Sequence, residues 1–190
     1  MSNKNGKSLL IVLSAPSGGG KTTICRELLK LHSDLKLSIS ATTRAPRPHE
    51  TNGHDYLFLT EAEFNDKIRN KEFLEYEEVH GKLYGTLKSN VQKLLSRGNN
   101  VVFDVDVKGA LNIKKEFPEA ILIFIRPPSL EELQKRLKNR KAETAEEIEN
   151  RLKRLPEEYA HASYFDYDIT NNILNETVER ITAIINNHKK

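Results

Sequence analysis

Short apolar runs alternate with stretches of helical periodicity along the chain. Residues 9–13 form a five-residue apolar run, which predicts a buried strand. Over 21–32, Ile24, Leu28 and Leu31 recur at the spacing of an amphipathic helix. Residues 35–41 alternate, with Leu35, Leu37, Ile39 and Ala41 facing one way, and predict one half-buried strand. Pro46 and Pro48 make 42–52 irregular. A strand at 56–59 and a short helix at 61–70 carrying Phe64 and Ile68 follow. Strands at 73–79 and 82–84 join through His80 and Gly81, and 88–97 is helical through Val91, Leu94 and Leu95.

The second half repeats the strand–helix rhythm. A strongly apolar strand at 101–105 carries Asp104, a helix spans 107–116, and a third apolar strand spans 120–125. Leu130, Leu133 and Leu137 mark another helix, and Ile148, Leu152, Leu155 and Tyr159 a long one. Residues 167–170 predict a last strand; Leu174, Val178, Ile181 and Ile185 mark the closing helix. Apolar strands spaced by helices predict an α/β fold with a parallel sheet covered on both faces. This single-domain core is interrupted near 38–90 by a strand-rich insertion and near 131–155 by an Arg-rich helical one.

Composition narrows the partners. Thirty Lys and Arg against 27 Asp and Glu leave a net charge of +3. That balance predicts neither a nucleic-acid groove nor a membrane patch. A small anionic ligand needs only a local positive cluster and stays open. Cys25 is the lone cysteine and falls in an apolar helical pattern, so it reads as a small buried hydrophobe in a reducing compartment. The 9–13 run is too short for a signal-peptide core or a membrane span, and the expected location is cytoplasmic. The histidines at 32, 49, 54, 80, 161 and 188 show no paired metal spacing. Nothing separates a monomer from a homo-oligomer.

The strongest chemical signal is Ala15-Pro16-Ser17-Gly18-Gly19-Gly20-Lys21-Thr22 between the first strand and first helix. It matches the phosphate-binding loop G-x-x-x-x-G-K-[ST], with Ala15 in place of the first glycine. Glycines let backbone N–H groups converge on phosphate oxygens, and the helix N-terminus adds partial positive charge. Lys21 would reach the β- and γ-phosphates of a nucleoside triphosphate, and the Thr22 hydroxyl would ligate Mg²⁺. Ala15 fits if its φ is negative.

Asp104 and Asp106 stand two apart, which on one strand puts both on one face. Asp104 is expected near the Mg²⁺–phosphate group, and Asp106 either there or as the cap of the next helix. Ser40, Thr42, Thr43, Arg44 and Arg47 form a cluster beside fixed prolines, suited to bidentate phosphate recognition. Arg136 and Arg140, four apart, share a helix face, and Arg136 and Arg151 each precede a leucine expected in the core.

Taken in order, these motifs resemble the guanylate kinase family over essentially the whole chain. The matching segments are APSGGGKT, S-x-T-T-R-x-P-R at 40–47, G-x-D-Y at 53–56 and E-F-L-E at 72–75. They continue with Y-G-T at 84–86, D-V-D-x-x-G at 104–109, P-P-S at 127–129, and R-L-x-x-R followed, after ten intervening residues, by Arg151-Leu152. The resemblance implies a P-loop nucleoside monophosphate kinase with a five-stranded parallel core (1–37, 91–130 and 156–190). It implies a GMP-binding insertion at 38–90 and a mobile lid at 131–155.

By that resemblance the chain moves the γ-phosphoryl group of ATP to GMP with Mg²⁺. Residues 15–23, Thr23 included, and Asn171 would hold ATP. Ser40, Arg44, Arg47, Tyr56 and Tyr84 would hold the GMP phosphate and neighbouring atoms. Glu75, Thr86 and Asp106 would read guanine, with Asp104 nearby. Lys21, Arg44, Arg136, Arg140 and Arg151 would neutralise charge on the phosphates. Thr22 would hold Mg²⁺, with Asp104 beside it directly or through a water.

Two departures stand out: Arg140-Lys141-Ala142-Glu143 replaces the family's usual Arg-Gly-Thr-Glu, which stiffens the expected hinge, and Asn171-Asn172 replaces Asn-Asp. The base choice has its own chemistry. Guanine presents N1–H and N2–H₂ donors, which an ionised Glu75 would accept; adenine has an acceptor at N1. A GTPase would carry N-K-x-D, which does not occur. A scaffolding module that binds peptides on this surface would not need Lys21-Thr22.

Overall fold

The computed structural model describes residues 8–79, 81–138 and 145–189, with the backbone alone at 145–148, 150 and 151. Five parallel strands form the central sheet: β1 (Leu10–Ser14), β2 (Leu35–Leu37), β7 (Asn100–Asp104), β8 (Ile121–Arg126) and β9 (Tyr167–Thr170). Their order is β2-β7-β1-β8-β9. The two neighbours of β1 lie on opposite sides, reached through separate crossovers. Ligands in such sheets bind where the strand order reverses, outside the carboxyl ends of the strands.

Alternation along β1 divides the core. Ile11 and Leu13 face α1 (Lys21–Leu31) and α7 (Leu174–His188), where Ile24, Leu28, Val178, Ile181 and Ile185 are buried. Leu10 and Val12 face the other way, onto α3 (Lys88–Ser96) and α4 (Val107–Glu116), with Val91, Ala110 and Ile113. Cys25 is 3% exposed within the first cluster, and burial pushes its thiol up to about 12. It is the inert hydrophobe its pattern predicts.

The insertion has its own four-stranded sheet, ordered β4-β3-β6-β5. It comprises β3 (Ala41–Thr42), β4 (Leu57–Phe58), β5 (Phe73–Val79) and β6 (Lys82–Leu87). Helix α2 (Glu61–Arg69) covers it, started by a reciprocal capping box between Thr60 and Glu63. Phe64 stacks on Phe73 at 4.3 Å between ring centroids. The register of β5 shifts between Phe73 and Glu75. An irregularity of this kind re-aims a side chain: Phe73 packs in the insertion's core, Leu74 against the central sheet, and Glu75 toward α4.

Helices α5 (Leu130–Lys138) and α6 (Ala145–Ala160) join through Leu133, Leu137 and Leu155. A Cβ on Gly18 would stand 2.9 Å from Leu133 Cδ1, so α5 rests directly on the phosphate loop. Among the described residues, no helix is long and apolar enough to cross a membrane.

Three expectations need correction. The single strand at 35–41 is two short strands in different sheets, broken at 38–40. Ser38 N donates to Val102 O, and Leu57 N donates to Ser40 O, so one stretch serves both sheets. Leu31 is 63% exposed, because α1 ends there and its stripe runs past the sheet. Finally, β7 stops at Asp104, so Asp106 shares no strand face with it; Asp106 is the N-cap of α4.

Candidate active site

The chain leaves β1 at Ser14 and turns through 15–20 into α1. Gly19 N donates to Pro16 O at 2.8 Å, closing the turn. Gly18 and Gly20 take φ of 87° and 95°, the left-handed region that glycine alone enters cheaply. Lys71 is the one non-glycine with positive φ among the described residues, so Ala15 meets its condition. The Ala15 methyl also sits under Gly19, where a Cβ would stand 2.8 Å from it. No side chain caps α1, and no acidic residue occupies its first turn. That end carries partial positive charge aimed at the loop.

The parallel register sets Leu13 opposite Asp104 and so brings the carboxyl end of β7 beside the loop. Lys21 Nζ donates to Val105 O at 2.7 Å and lies 3.4 Å from Asp104 Oδ1. Thr22 Oγ1 donates to Asp104 Oδ2 at 2.9 Å. Thr23 is exposed on the same first turn. Two hard oxygens at that separation are close to neighbouring corners of a magnesium octahedron, whose edge is about 3.0 Å for ligands near 2.1 Å. Among the described residues, no three His, Cys, Asp or Glu converge to hold a metal alone. Thr22 and Asp104 therefore fit a divalent ion shared with phosphates.

Arg136 reaches the loop from α5. Its Nε donates to Glu132 at 2.9 Å and its Nη2 to Asn171 O at 3.3 Å. The Asn171 side chain is turned inward: it donates to Gly19 O at 3.0 Å and accepts from Thr177 Oγ1 at 3.2 Å. At 5% exposure, and placed where a Cβ on Gly20 would collide with its amide, Asn171 braces the loop. Its side-chain bonds tie the loop at Gly19 to α7 at Thr177. Arg140 lies outside the described residues, as does the altered 140–143 segment, and so does the side chain of Arg151.

A second cluster faces the loop from the insertion. Arg44 forms a two-pronged pair with Glu50 at 2.8 and 2.9 Å, and its guanidinium lies 5.3 Å from the Tyr56 ring centre. Tyr56 meets Tyr84 edge-on at 6.2 Å. Burial, and next the charge of Asp104, pushes the Tyr56 phenol up to about 12, so the insertion lies within electrostatic reach of β7. Arg47 is exposed, and its backbone N–H also binds Glu50. Ser40 is half-buried just before β3.

Glu75 lies deeper, 8% exposed, and Thr86 Oγ1 donates to its Oε1 at 2.6 Å. Asp106 Oδ1 accepts from Gly109 N at 2.7 Å. Burial raises the Glu75 carboxyl to about 7, Asp106 adds to the rise, and Lys21 opposes it. Lys21 pairs with Asp104, while Glu75 meets Thr86 and stands with Asp106 over Gly109.

The sequence reading passed over Glu50, Glu77, Arg154 and Glu158. Glu77 stands on the same side of β5 as Glu75, and Arg154 of α6 reaches it at 3.2 Å. An E-x-E alternation and an acid placed among arginines were the available signals.

The chain as a whole matches known relatives. The guanylate kinase family model matches residues 7–188. A guanylate kinase of Caldanaerobacter subterraneus is 49% identical over 179 residues, covering 94% of this chain and 87% of that protein. One from Clostridium perfringens is 44% identical over 183 residues, covering 96% and 85%. The crystal structure of guanylate kinase from Anaplasma phagocytophilum superposes with a TM-score of 0.80 at 31% identity, covering 97% of this chain and 88% of that one. This chain belongs to the guanylate kinase family.

Proposed function

We propose that the chain transfers the γ-phosphoryl group of ATP to GMP, giving ADP and GDP, in purine nucleotide metabolism and in the cytoplasm. The observation that carries this reading is the convergence of two unlike sites. A phosphate loop with Lys21 lies near the carboxylates of buried Glu75 and half-buried Asp106, with Thr86 donating to Glu75, a set matched to guanine's donors.

Residues 15–23 hold the triphosphate of ATP. Arg44, Arg47, Tyr56, Tyr84 and Ser40 hold the GMP phosphate. An oxygen of that phosphate attacks the γ-phosphorus in line, and the bond to the ADP oxygen breaks. The attacking oxygen is already ionised, so no general base is needed. Lys21, Arg44, Arg136, Arg140 and Arg151 spread the negative charge, and positioning does the rest. Thr22 and Asp104 would hold Mg²⁺, which supplies charge neutralisation and orientation for the phosphate oxygens. Residues 38–90 serve as the GMP-binding insertion and 131–155 as a lid over the 1–37, 91–130 and 156–190 core. Both close to keep water from the phosphates.

A coupled assay with Mg·ATP against a panel of nucleoside monophosphates tests this. GMP should exceed AMP, CMP and UMP by about 10³-fold or more in kcat/KM. Comparable turnover of AMP would overturn the reading.

A further inference from the structure

Asn171 follows β9 directly, and its backbone and side chain are both held. Its N–H donates to Arg126 O at 2.7 Å, and its C=O accepts from Arg136 Nη2 at 3.3 Å. Its Nδ2 donates to Gly19 O at 3.0 Å, and its Oδ1 accepts from Thr177 Oγ1 at 3.2 Å. Both side chains are shut off from solvent, Asn171 at 5% and Thr177 at 2% exposure. Thr177 stands near the start of α7 and shares its hydroxyl hydrogen with Ile173 O at 3.0 Å.

Only one orientation of the Asn171 amide serves both neighbours. Gly19 O is an acceptor and needs the NH₂ end; the Thr177 hydroxyl donates and needs the carbonyl end. Turned over, the amide would set oxygen against oxygen at Gly19. Thr177 is the one donor that Asn171 Oδ1 meets among the described residues, so Thr177 sets which end faces the loop. A helical threonine commonly bonds the carbonyl one turn back. That local bond does not account for a second acceptor, buried and joined to the glycine loop.

The consequence falls on the Gly19–Gly20 peptide. A planar trans peptide sends its C=O and N–H in opposite directions. Gly19 O is drawn toward the β9 side, so Gly20 N–H faces away from it, toward the side where Lys21 and Thr22 bond Val105 and Asp104. Backbone N–H groups turned this way are what a phosphate loop offers its anion. Glycine on both sides makes this peptide cheap to turn over. The turned-over form would set a carbonyl oxygen against a phosphate oxygen.

We propose that Thr177 is a positioning residue for triphosphate binding: through Asn171 it holds the Gly19–Gly20 peptide with its N–H turned to the phosphates. This inference rests on the reading of residues 15–23 as the ATP site. The same Asn171 carries Arg136 on its carbonyl, so the loop and that arginine share one support. Thr177 itself touches no substrate and acts only through Asn171.

Calorimetry of the full chain, with Mg²⁺ and a non-hydrolysable imido analogue of ATP and separately with GMP, tests this. The variants are Thr177→Val, Thr177→Ser, Asn171→Ala and the Asn171→Ala/Thr177→Val pair. Valine keeps the shape of threonine and lacks its donor. Thr177→Val should bind the analogue about tenfold more weakly, and Thr177→Ser within about twofold of wild type. GMP affinity should stay within about twofold throughout. In the Asn171→Ala background, Thr177→Val should cost less than about twofold more, because its path to the loop is already cut. Analogue binding by Thr177→Val like wild type, no rescue in Thr177→Ser, an equal loss of GMP affinity, or a loss that Asn171→Ala does not absorb overturns the proposal. If Thr177→Val does not fold, relaxation dispersion at the wild-type Gly20 amide decides. A held peptide shows no microsecond-to-millisecond exchange without nucleotide, and exchange that the analogue abolishes overturns the proposal. A wild-type chain that binds GMP but not the analogue overturns the reading of the loop itself, and this inference with it.

Discussion

The Glu75 carboxylate rests on Gly109: a Cβ placed on that glycine would stand 2.9 Å from Glu75 Oε2 and 3.2 Å from Asp106 Oδ1. The α4·β5 junction is thus built around a missing side chain. The carboxylates of Glu75 and Asp106 approach because Gly109 occupies the first turn of α4.

Gly109→Ala should therefore act on GMP and little else. The added methyl meets the ends of side chains, not backbone, so the fold accommodates it. Alanine's higher helix propensity, about 1 kcal/mol, offsets part of the strain. The KM for GMP should rise about tenfold from displaced hydrogen bonds, with the KM for ATP unchanged. Steady-state kinetics with each substrate varied in turn checks this, and an unchanged GMP KM would remove Gly109 from the site.

Lys21 tests the phosphate loop. Its ammonium bridges toward Asp104 and Val105 and would swing onto the phosphates. Lys21→Ala should lower kcat by about 10³-fold or more, with GMP binding nearly intact. Turnover close to wild type would contradict the assignment.

Glu75 tests base choice. Glu75→Gln preserves shape but turns one acceptor into a donor facing a guanine donor. The kcat/KM for GMP should drop about 10²-fold, and the GMP/AMP ratio should narrow. The KM for ATP should stay put. If GMP efficiency and the GMP/AMP ratio are both unchanged, guanine reading passes to Asp106 and Thr86.

Glu75 also predicts a proton linkage. Its carboxyl sits at about 7 in the free chain, raised first by burial and then by Asp106. Guanine donors favour the ionised form, so GMP binding should release a proton near neutral pH and strengthen as pH rises through 7. Calorimetry in buffers of different ionisation enthalpy would measure about half a proton at pH 7 in wild type and markedly less in Glu75→Gln.

The stability sign follows. Glu75, Glu77 and Glu158 all sit above the usual carboxylate range near 4.5, so the folded chain keeps protons that the unfolded chain has lost. Melting temperature should decline between pH 5.5 and 8.5. A rising profile would show that these groups are not buried as described.

The sequence by itself determined what contiguous residues encode. Strand β1, the glycine loop and α1 form one unbroken run, in which the loop's chemistry depends on local backbone geometry. Helix α4 begins and ends where its periodicity predicts, because hydrophobic spacing within ten residues suffices. Only the tertiary structure decided which distant groups meet. The break at 38–40 was invisible because the alternation continues through it, while the hydrogen-bond partners belong to two different sheets. Asp106 left the strand because α4 needed a cap. Glu77 and Arg154 lie 77 positions apart, and neither carries a local signal for the other. Their meeting comes from burying β5 against α4 and α6, where a charge's cost depends on every neighbour that folding brings to it.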